Sequence, residues 1–202
     1  MSNSTSHSLR WAWYALAAVI IVLDQLSKYW VQVSFFEFER INLLPILDFT
    51  LVYNKGAAWS FLSDAGGWQR WLFTGISSVV SIVLVVWIHR LVAVQKLLLI
   101  ALTLILAGAV GNLIDRVLLG KVVDFVLFYY DGHYFPAFNV ADSAITIGAI
   151  FMLADVFWGP SEDDLKADVN DTAQNNDTVQ NNDTAPNKKT ANNKVKGDSN
   201  DS

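Results

Sequence analysis

The sequence has 202 residues, of which 53% are hydrophobic, eight are tryptophan and none is cysteine. This composition indicates a membrane protein, and it excludes disulfides, thiol nucleophiles and cysteine-ligated metals. The formal net charge is -5, but residues 161–202 hold nine acids and five lysines, so residues 1–160 are nearly neutral. The charge therefore gives no indication of nucleic-acid binding.

Four apolar segments predict four membrane-spanning helices, at about residues 11–31, 70–89, 96–116 and 137–158. Each is close to the roughly 20 residues that cross a bilayer. The polar start before the first segment is also typical of a cleaved secretory signal. We prefer an uncleaved span because the apolar run has no clean small-residue cleavage site. The prediction is an all-α polytopic membrane protein with one four-helix domain over residues 1–160.

Residues 32–67 contain several charges and a proline, so they are not expected to span the membrane. The run DFTLVYN at 48–54 has the β-branched and aromatic content of a strand, and a turn is expected at Asn54-Lys55-Gly56. We therefore expect a small β-cradle on the outer membrane face, followed by interfacial packing of AAWSF at 57–61. The Asn54 carboxamide could cap this turn or reach into a polar cluster, and periodicity does not decide between the two.

The connector between the second and third spans predicts the orientation of the chain. His89, Arg90 and Lys96 bracket it and it contains no acid, so the positive-inside rule places it in the cytoplasm. With four spans, both termini are then cytoplasmic. Residues 161–202 carry a near-repeat of six residues, NDTAQN NDTVQN NDTAPN, with little apolar content. They are predicted to be a disordered cytoplasmic tail.

Polar and ionisable side chains interrupt the spans near one end of the predicted bundle. Charged groups within a membrane are costly and usually functional, so each is a candidate for a site. Asp24 and Lys28 lie four residues apart and can pair on one helical face. In the third span, one helical face carries Gly108, Asn112, Asp115 and Arg116. We expect close helix contact at the glycine and a pairing of Arg116 with Asp115 or Asp24.

Two further aspartates, Asp124 and Asp142, suggest a hydrolytic mechanism. Two carboxylates held close in a low-dielectric site cannot readily both ionise, so they share a proton. One then acts as base on a water while the other donates to the scissile carbonyl. Asn112 and Asn139 could orient these carboxylates without adding charge.

Other interpretations of the same residues stay open at this point. Asp142 could simply cap the fourth helix while Asp124 is an ordinary loop acid. A Ser-Lys dyad would need a hydroxyl within hydrogen-bond reach of Lys28. A metal site is the weakest interpretation, because two aspartates and some asparagines lack the histidine or further carboxylate of a strong assignment.

Five motifs in order give a resemblance to a known family. They are DQLSK at 24–28, NKGAAWSF at 54–61, GAVGNLIDR at 108–116, GKVVDF at 120–125 and FNVADS at 138–143. With the four spans, they resemble the bacterial lipoprotein signal peptidases, or type II signal peptidases, over about residues 11–158. The polar tail after residue 160 is additional to what that family requires.

The resemblance implies an activity, a place and a set of residues. The activity is removal of the signal peptide from a diacylglyceryl-modified prolipoprotein, just before the lipidated cysteine, at the periplasmic side of the inner membrane. Asp124 and Asp142 match the family's catalytic aspartates. The other matching motif positions are Asp24, Lys28, Asn54, Gly56, Gly108, Asn112, Arg116 and Asn139. The family uses no metal or organic cofactor, is inhibited by globomycin and has an outer-surface β-cradle.

Two other classes of membrane protein are compatible with intramembrane carboxylates. A small proton-coupled transporter or channel could use Asp24, Asp115, Asp124 and Asp142 as a relay, although it would commonly show an internal repeat among its spans. A non-catalytic chaperone for lipidated helices would tolerate replacement of Asp124 and Asp142 by asparagine. A single chain carries both aspartates, so a monomer in contact with membrane lipids is expected.

Overall fold

The structure is a computed structural model that describes residues 2–56, 67–91, 95–167, 169–170 and 173–174, with side-chain exposure from Trp11 onward. The segment at 57–61, for which interfacial packing is predicted, lies outside these ranges. Most of the tail predicted to be disordered also lies outside them. Its beginning departs from the prediction, because residues 162–167 are helical and Ser161 bonds to Asp164 at the start of that turn.

Four long helices confirm the predicted membrane architecture. They are α1 Ser2–Ser34, α2 Trp68–Arg90, α3 Lys96–Leu118 and α4 Val140–Trp158. Each is long and apolar enough to cross a bilayer, α1 over Trp11–Ser34. The chain runs up α1, down α2, up α3 and down α4, so α1 and α3 end where α2 and α4 begin. We call this the sheet end of the bundle.

The third helix is the centre of the bundle. In its most apolar stretch 56% of the residues are buried, against 11–22% in the other three helices. An apolar cluster joins it to α2 at the opposite end of the bundle from the sheet, through Leu84, Ile88, Leu91, Leu99, Leu102 and Leu106. Toward α4 the contact uses small residues, because a Cβ at Gly108 would overlap the carbonyl oxygen of Ala141.

A four-stranded antiparallel sheet covers the sheet end of the bundle. Its strands, in spatial order, are β1 Arg40–Leu44, β2 Leu47–Asn54, β3 Val122–Tyr130 and β4 His133–Tyr134. The predicted cradle is confirmed, but it was predicted only from residues before α2, and half of its strands come after α3. Strand β3 follows α3 and pairs along β2, which places Asp124 in a strand opposite Val52. The interpretation of Asp124 as a loop acid is therefore wrong.

Apolar packing attaches this sheet to the first helix. Val31, Leu51, Val123 and Phe125 form a buried cluster between the end of α1 and strands β2 and β3. Alternate residues of β3 point to opposite faces of the sheet, so Val123 and Phe125 share one face and Asp124 projects from the other. The packing that seats the sheet thus fixes where the Asp124 carboxylate lies.

The fourth helix begins three residues later than predicted. Residue 137 was expected to start it, but Phe138 is tied to β3 by backbone hydrogen bonds with Val126 in both directions. Asn139 then serves as the N-cap, and the helix starts at Val140. Asp142 consequently lies in the first turn of α4.

Candidate active site

Asp124 is an almost fully buried carboxylate held by two amides. Asn139 Nδ2 donates to Oδ1 at 2.7 Å, and Asn54 Nδ2 donates to Oδ2 at 3.1 Å. Burial, reinforced by the nearby charge of Asp142, raises the pKa of Asp124 from its ordinary 3.8 to about 7, against the opposing effect of the two asparagine hydrogen bonds. Asp124 is therefore poised to hold or release a proton near neutral pH. The structure answers the open question about Asn54, whose amide nitrogen reaches Asp124 while its oxygen accepts from Gly56 N at 2.8 Å.

Asp142 is half-buried on α4, and a third amide holds it. Asn112 Nδ2 on α3 donates to Asp142 Oδ1 at 2.7 Å. The N-cap hydrogen bond of α4 runs from Asp142 N to Asn139 Oδ1 at 2.9 Å. Because Asn139 makes the cap, the interpretation of Asp142 as the capping residue is wrong, and its carboxylate is left for another role.

Two buried asparagines connect the aspartates. Asn139 Nδ2 bonds to Asp124 and also donates to Asn112 Oδ1 at 3.2 Å and to Val123 O at 3.1 Å. Asn112 in turn bonds to Asp142. The two carboxylates, from a strand and a helix separate in sequence, thus share one continuous network of neutral amides. An amide provides a donor and an acceptor without a charge, so it orients a carboxylate while leaving its proton free to move.

A second buried cluster lies beside the first and contains a charge. Lys28 Nζ contacts Asp24 Oδ2 at 2.8 Å, Asp115 Oδ2 at 2.9 Å and Asn112 Oδ1 at 3.0 Å. The predicted Asp24–Lys28 pair is confirmed, and Lys28 is only 1% exposed. An ammonium group has three donors, and these three contacts use them all. None of these partners is a hydroxyl, so the contacts of Lys28 do not support a Ser-Lys dyad.

This second cluster also joins chain segments. Asp24 Oδ1 accepts from Ala141 N at 2.8 Å, and Asp115 Oδ2 accepts from Val123 N at 3.1 Å. Gln25 Nε2 bonds to both carboxylates, at 3.1 and 3.0 Å, and to Gly111 O. Gln25 was not predicted as a site residue and entered only as part of the DQLSK motif. A carboxamide in an otherwise apolar run was the signal that could have identified it.

Arg116 does not pair as predicted. Asp24 and Asp115 both pair with Lys28 instead. Arg116 Nη1 donates to Asn112 O and to Ser77 Oγ, each at 3.3 Å, and its guanidinium lies over the Phe73 ring. It therefore connects α2 to α3 and supports the backbone of Asn112. Ser77 was missed because an isolated serine in an apolar span carries no pattern that reveals its partner.

The motif glycines contribute space rather than chemistry. Gly56 has a φ of 89°, and a Cβ there would lie 2.5 Å from the Phe73 ring. A Cβ at Gly111 would lie 2.7 Å from Asp24 Oδ2, and one at Gly108 would meet the Ala141 backbone. Only glycine allows these close approaches at its present backbone position.

Asp142 also borders an opening. A cavity of about 390 Å³ is lined by Phe138, Asp142, Ser143, Thr146 and Ile147. Ile147 is 46% exposed on the flank of α4, so the cavity opens toward the space that lipid would occupy. Within the described ranges, no three histidine or acidic side chains lie together in a way that could hold a metal ion.

Comparison with known proteins gives a consistent match over the helical part of the chain. The sequence model of a peptidase family described as "Signal peptidase (SPase) II" matches residues 16–158. A lipoprotein signal peptidase of Pseudomonas fluorescens is 52% identical over 159 residues, which are 78% of this chain and 94% of the relative. One of Shewanella halifaxensis is 50% identical over 167 residues, which are 83% and 96% of the two chains.

A solved structure is also similar. It is described as a bacterial membrane enzyme, obtained by the in meso method at 1.9 Å resolution. The TM-score is 0.65 at 33% sequence identity, over 74% of this chain and 94% of that one. The chain therefore shares its fold with a solved bacterial membrane enzyme of related sequence.

Proposed function

The chain belongs to the signal peptidase II family, the lipoprotein signal peptidases, and from this premise we propose that Asp124 and Asp142 are the aspartyl pair that cleaves its substrate. The proposed substrate is a prolipoprotein carrying a diacylglyceryl group on a cysteine, and the amide immediately before that cysteine is the bond that breaks. The comparisons give no support to the alternative of a proton-coupled transporter.

One observation carries the proposal. Asn139 donates to the Asp124 carboxylate at 2.7 Å and caps the turn that presents Asp142. A single buried side chain thus positions both acids. The N-cap bond belongs to α4, and the bond from Asn139 Nδ2 to Asp124 is additional to it. The arrangement is what two carboxylates acting on one water and one carbonyl require.

The chemistry follows from the unequal surroundings of the pair. The ionised aspartate takes a proton from water as that water attacks the scissile carbonyl carbon, and the protonated aspartate donates to the carbonyl oxygen. Collapse of the tetrahedral diol then breaks the C–N bond. The aspartate that is now protonated gives its proton to the departing nitrogen, and the ionised aspartate takes the proton of a diol hydroxyl as that oxygen becomes the new carbonyl. No charged group has to enter the site, because one shared proton moves between the two acids.

Substrate access fits the cavity beside Asp142. The signal peptide is an apolar helix, so it approaches by lateral diffusion in the membrane along the exposed flank of α4. The 390 Å³ cavity lined by Phe138, Asp142 and Ile147 is on this route. The acyl chains of the substrate stay in lipid while its cleavage site reaches the sheet end of the bundle.

The same proposal includes the place and assembly of the protein. We place it in the bacterial inner membrane with both termini cytoplasmic and the sheet end on the periplasmic side. The basic residues His89 and Arg90 in the last turn of α2 support this orientation. Both aspartates belong to one chain, so the active unit is a monomer. Globomycin is expected to inhibit it.

A cleavage assay tests the proposal. The purified full chain is incubated with a synthetic diacylated prolipoprotein, and mass spectrometry locates the cut. We expect cleavage before the lipidated cysteine, its inhibition by globomycin, and its loss in Asp124→Asn and Asp142→Asn. Asp131→Asn makes the same replacement in the exposed β3–β4 turn and should cleave normally. Intact substrate with the wild-type chain, or normal cleavage by either dyad variant, would refute the assignment.

A further inference from the structure

A second cavity, distinct from the active site, lies where α2 begins and α3 ends. Its volume is about 440 Å³. It is lined by Lys55, Gly67, Gln69, Arg70, Trp71, Leu119, Gly120 and Lys121. A volume of this size is typical of sites for small molecules and headgroups. The proposed peptidase mechanism does not use any of these residues.

The lining is strongly cationic. It contains Lys55, Arg70 and Lys121, and no acid is present among the described residues that line the cavity. None of these three cations takes part in an ion pair with another described residue. Three positive charges around one cavity repel one another, so the cavity favours an anionic occupant.

Two of these cations are held in place. Arg70 Nε donates to Arg116 O at 3.0 Å, and Arg70 Nη2 donates to Val117 O at 2.6 Å. Lys121 Nζ lies 3.3 Å from the centre of the Tyr53 ring, in a cation–π contact. These contacts fix the side chains toward the cavity without neutralising them. The site is therefore organised before any ligand binds.

The rim of the cavity is apolar and exposed. Trp71 is 70% exposed and Leu119 is 44% exposed, and both line the cavity. These side chains lie at the ends of two membrane-spanning helices, where tryptophan commonly marks the boundary between hydrocarbon and headgroups. A ligand with an anionic head and an apolar tail would satisfy both the cations and this rim.

We propose that this cavity binds the phosphate of an anionic phospholipid such as a phosphatidylglycerol. The phosphate lies among Lys55, Arg70 and Lys121, and the acyl chains lie against Trp71 and Leu119. A zwitterionic lipid brings its own cation into a site that already has three, so it binds less tightly. Free phosphate lacks the chains that contact the rim. This function is separate from the proposed peptidase chemistry and does not depend on it.

Lipid binding to the purified full chain in detergent tests the proposal. Native mass spectrometry would measure the affinities for dioctanoyl phosphatidylglycerol and dioctanoyl phosphatidylcholine. We expect the double variant Lys55→Gln/Lys121→Gln to lose about tenfold or more in phosphatidylglycerol affinity and little in phosphatidylcholine affinity. Arg70 is left intact because it holds the end of α3.

A charge-matched variant separates this site from general attraction. Arg90→Gln/Lys96→Gln removes two positive charges at the opposite end of α2 and α3 and should leave the affinity within about twofold of wild type. Equal losses in the two double variants, or no loss in the first, would overturn the proposal. Inorganic phosphate that displaces the lipid at equal concentration would assign the site to free phosphate instead. Displacement by a short acidic peptide at equal concentration would assign it to a peptide.

Discussion

Two pairs of aspartates lie side by side at the sheet end of the bundle, and they are held in opposite ways. Asp24 and Asp115 have the Lys28 ammonium between them, at 2.8 and 2.9 Å. Asp124 and Asp142 are held only by the neutral amides of asparagines, and no ion pair to either is described. Asn112 touches both arrangements, because its oxygen accepts from Lys28 and its nitrogen donates to Asp142.

The difference separates a structural role from a chemical one. A carboxylate paired with a buried ammonium is held in place by a charge-assisted contact. It can then connect chain segments, as Asp24 does to the start of α4. Asp124, by contrast, makes no ion pair within the described part of the chain, and burial raises its pKa to about 7, so it can exchange a proton near neutral pH. The same residue type thus serves packing in one pair and, as proposed, catalysis in the other.

The largest effect is expected for asparagine replacements within the amide-held pair. Asp124→Asn and Asp142→Asn should each lower cleavage by about 10³-fold or more, because each removes a group that transfers the proton. Neither leaves a buried charge without a partner, so the melting temperature should stay close to wild type. Cleavage rates and thermal unfolding in detergent measure the two quantities. A variant that keeps its activity would remove the distinction between the pairs.

Replacement of Lys28 examines the other pair. Lys28→Met leaves the Asp24 and Asp115 carboxylates buried beside each other without a cation, which should lower the free energy of unfolding by about 3–5 kcal/mol. Activity would fall with folding. The triple variant Lys28→Met/Asp24→Asn/Asp115→Asn removes those charges and should regain part of the stability. Wild-type unfolding of Lys28→Met would show that the ammonium does not stabilise this cluster.

The sequence singled out all four aspartates as candidates, but it did not predict most of their contacts. Helix periodicity is enough to pair Asp24 with Lys28, because they lie one turn apart. It is not enough to place Asp115 and Arg116, whose partners depend on how three helices pack. Arg116 was predicted to pair with Asp24 or Asp115, but both carboxylates pair with Lys28 instead.

The strand pairing that surrounds Asp124 could not be predicted from the sequence either. The short segment after α3 gave no indication that it would pair with β2, since that pairing joins residues about seventy positions apart. Four long apolar runs, by contrast, predict four helices directly, because hydrocarbon leaves the backbone few alternatives. Local patterns therefore gave the spans, and the long-range sheet gave the site its geometry.

Replacement of Arg116 tests the connection between the two pairs, and its expected effect on stability and cleavage is smaller. Arg116→Ala removes the hydrogen bonds to Asn112 O and Ser77 Oγ and the contact with the Phe73 ring. We expect a loss of about 1–2 kcal/mol in unfolding free energy, together with a fall in cleavage, because Asn112 holds Asp142. Ser77→Ala removes one of those partners and should cost less on both measures. An Arg116→Ala protein with reduced stability and full activity would show that Asn112 does not depend on this support.

The smallest expected effect is a displacement of the pH profile. The pKa of Asp124 is raised to about 7, so cleavage that needs its proton should fall as the pH rises above that value. Between pH 3.8 and about 7, Asp124 is protonated in the folded chain but ionised in the unfolded chain. The free energy of unfolding should therefore decrease as the pH rises through that interval. The melting temperature of Asp124→Asn should lack this part of the pH dependence.

Replacement of Asn54 should shift the pH profile of cleavage. Its hydrogen bond to Asp124 Oδ2 favours the ionised carboxylate, so Asn54→Ala should raise the pKa of Asp124 further and shift the alkaline decline of kcat/KM to higher pH. Asn42→Ala is the matched control, because it removes an asparagine that donates to Asp48 in the same sheet, at 3.0 Å. A shift to lower pH in Asn54→Ala, or an equal shift in both variants, would mean that the decline does not report the proton on Asp124. The amide-held pair would then lose the property that distinguishes it from the pair around Lys28.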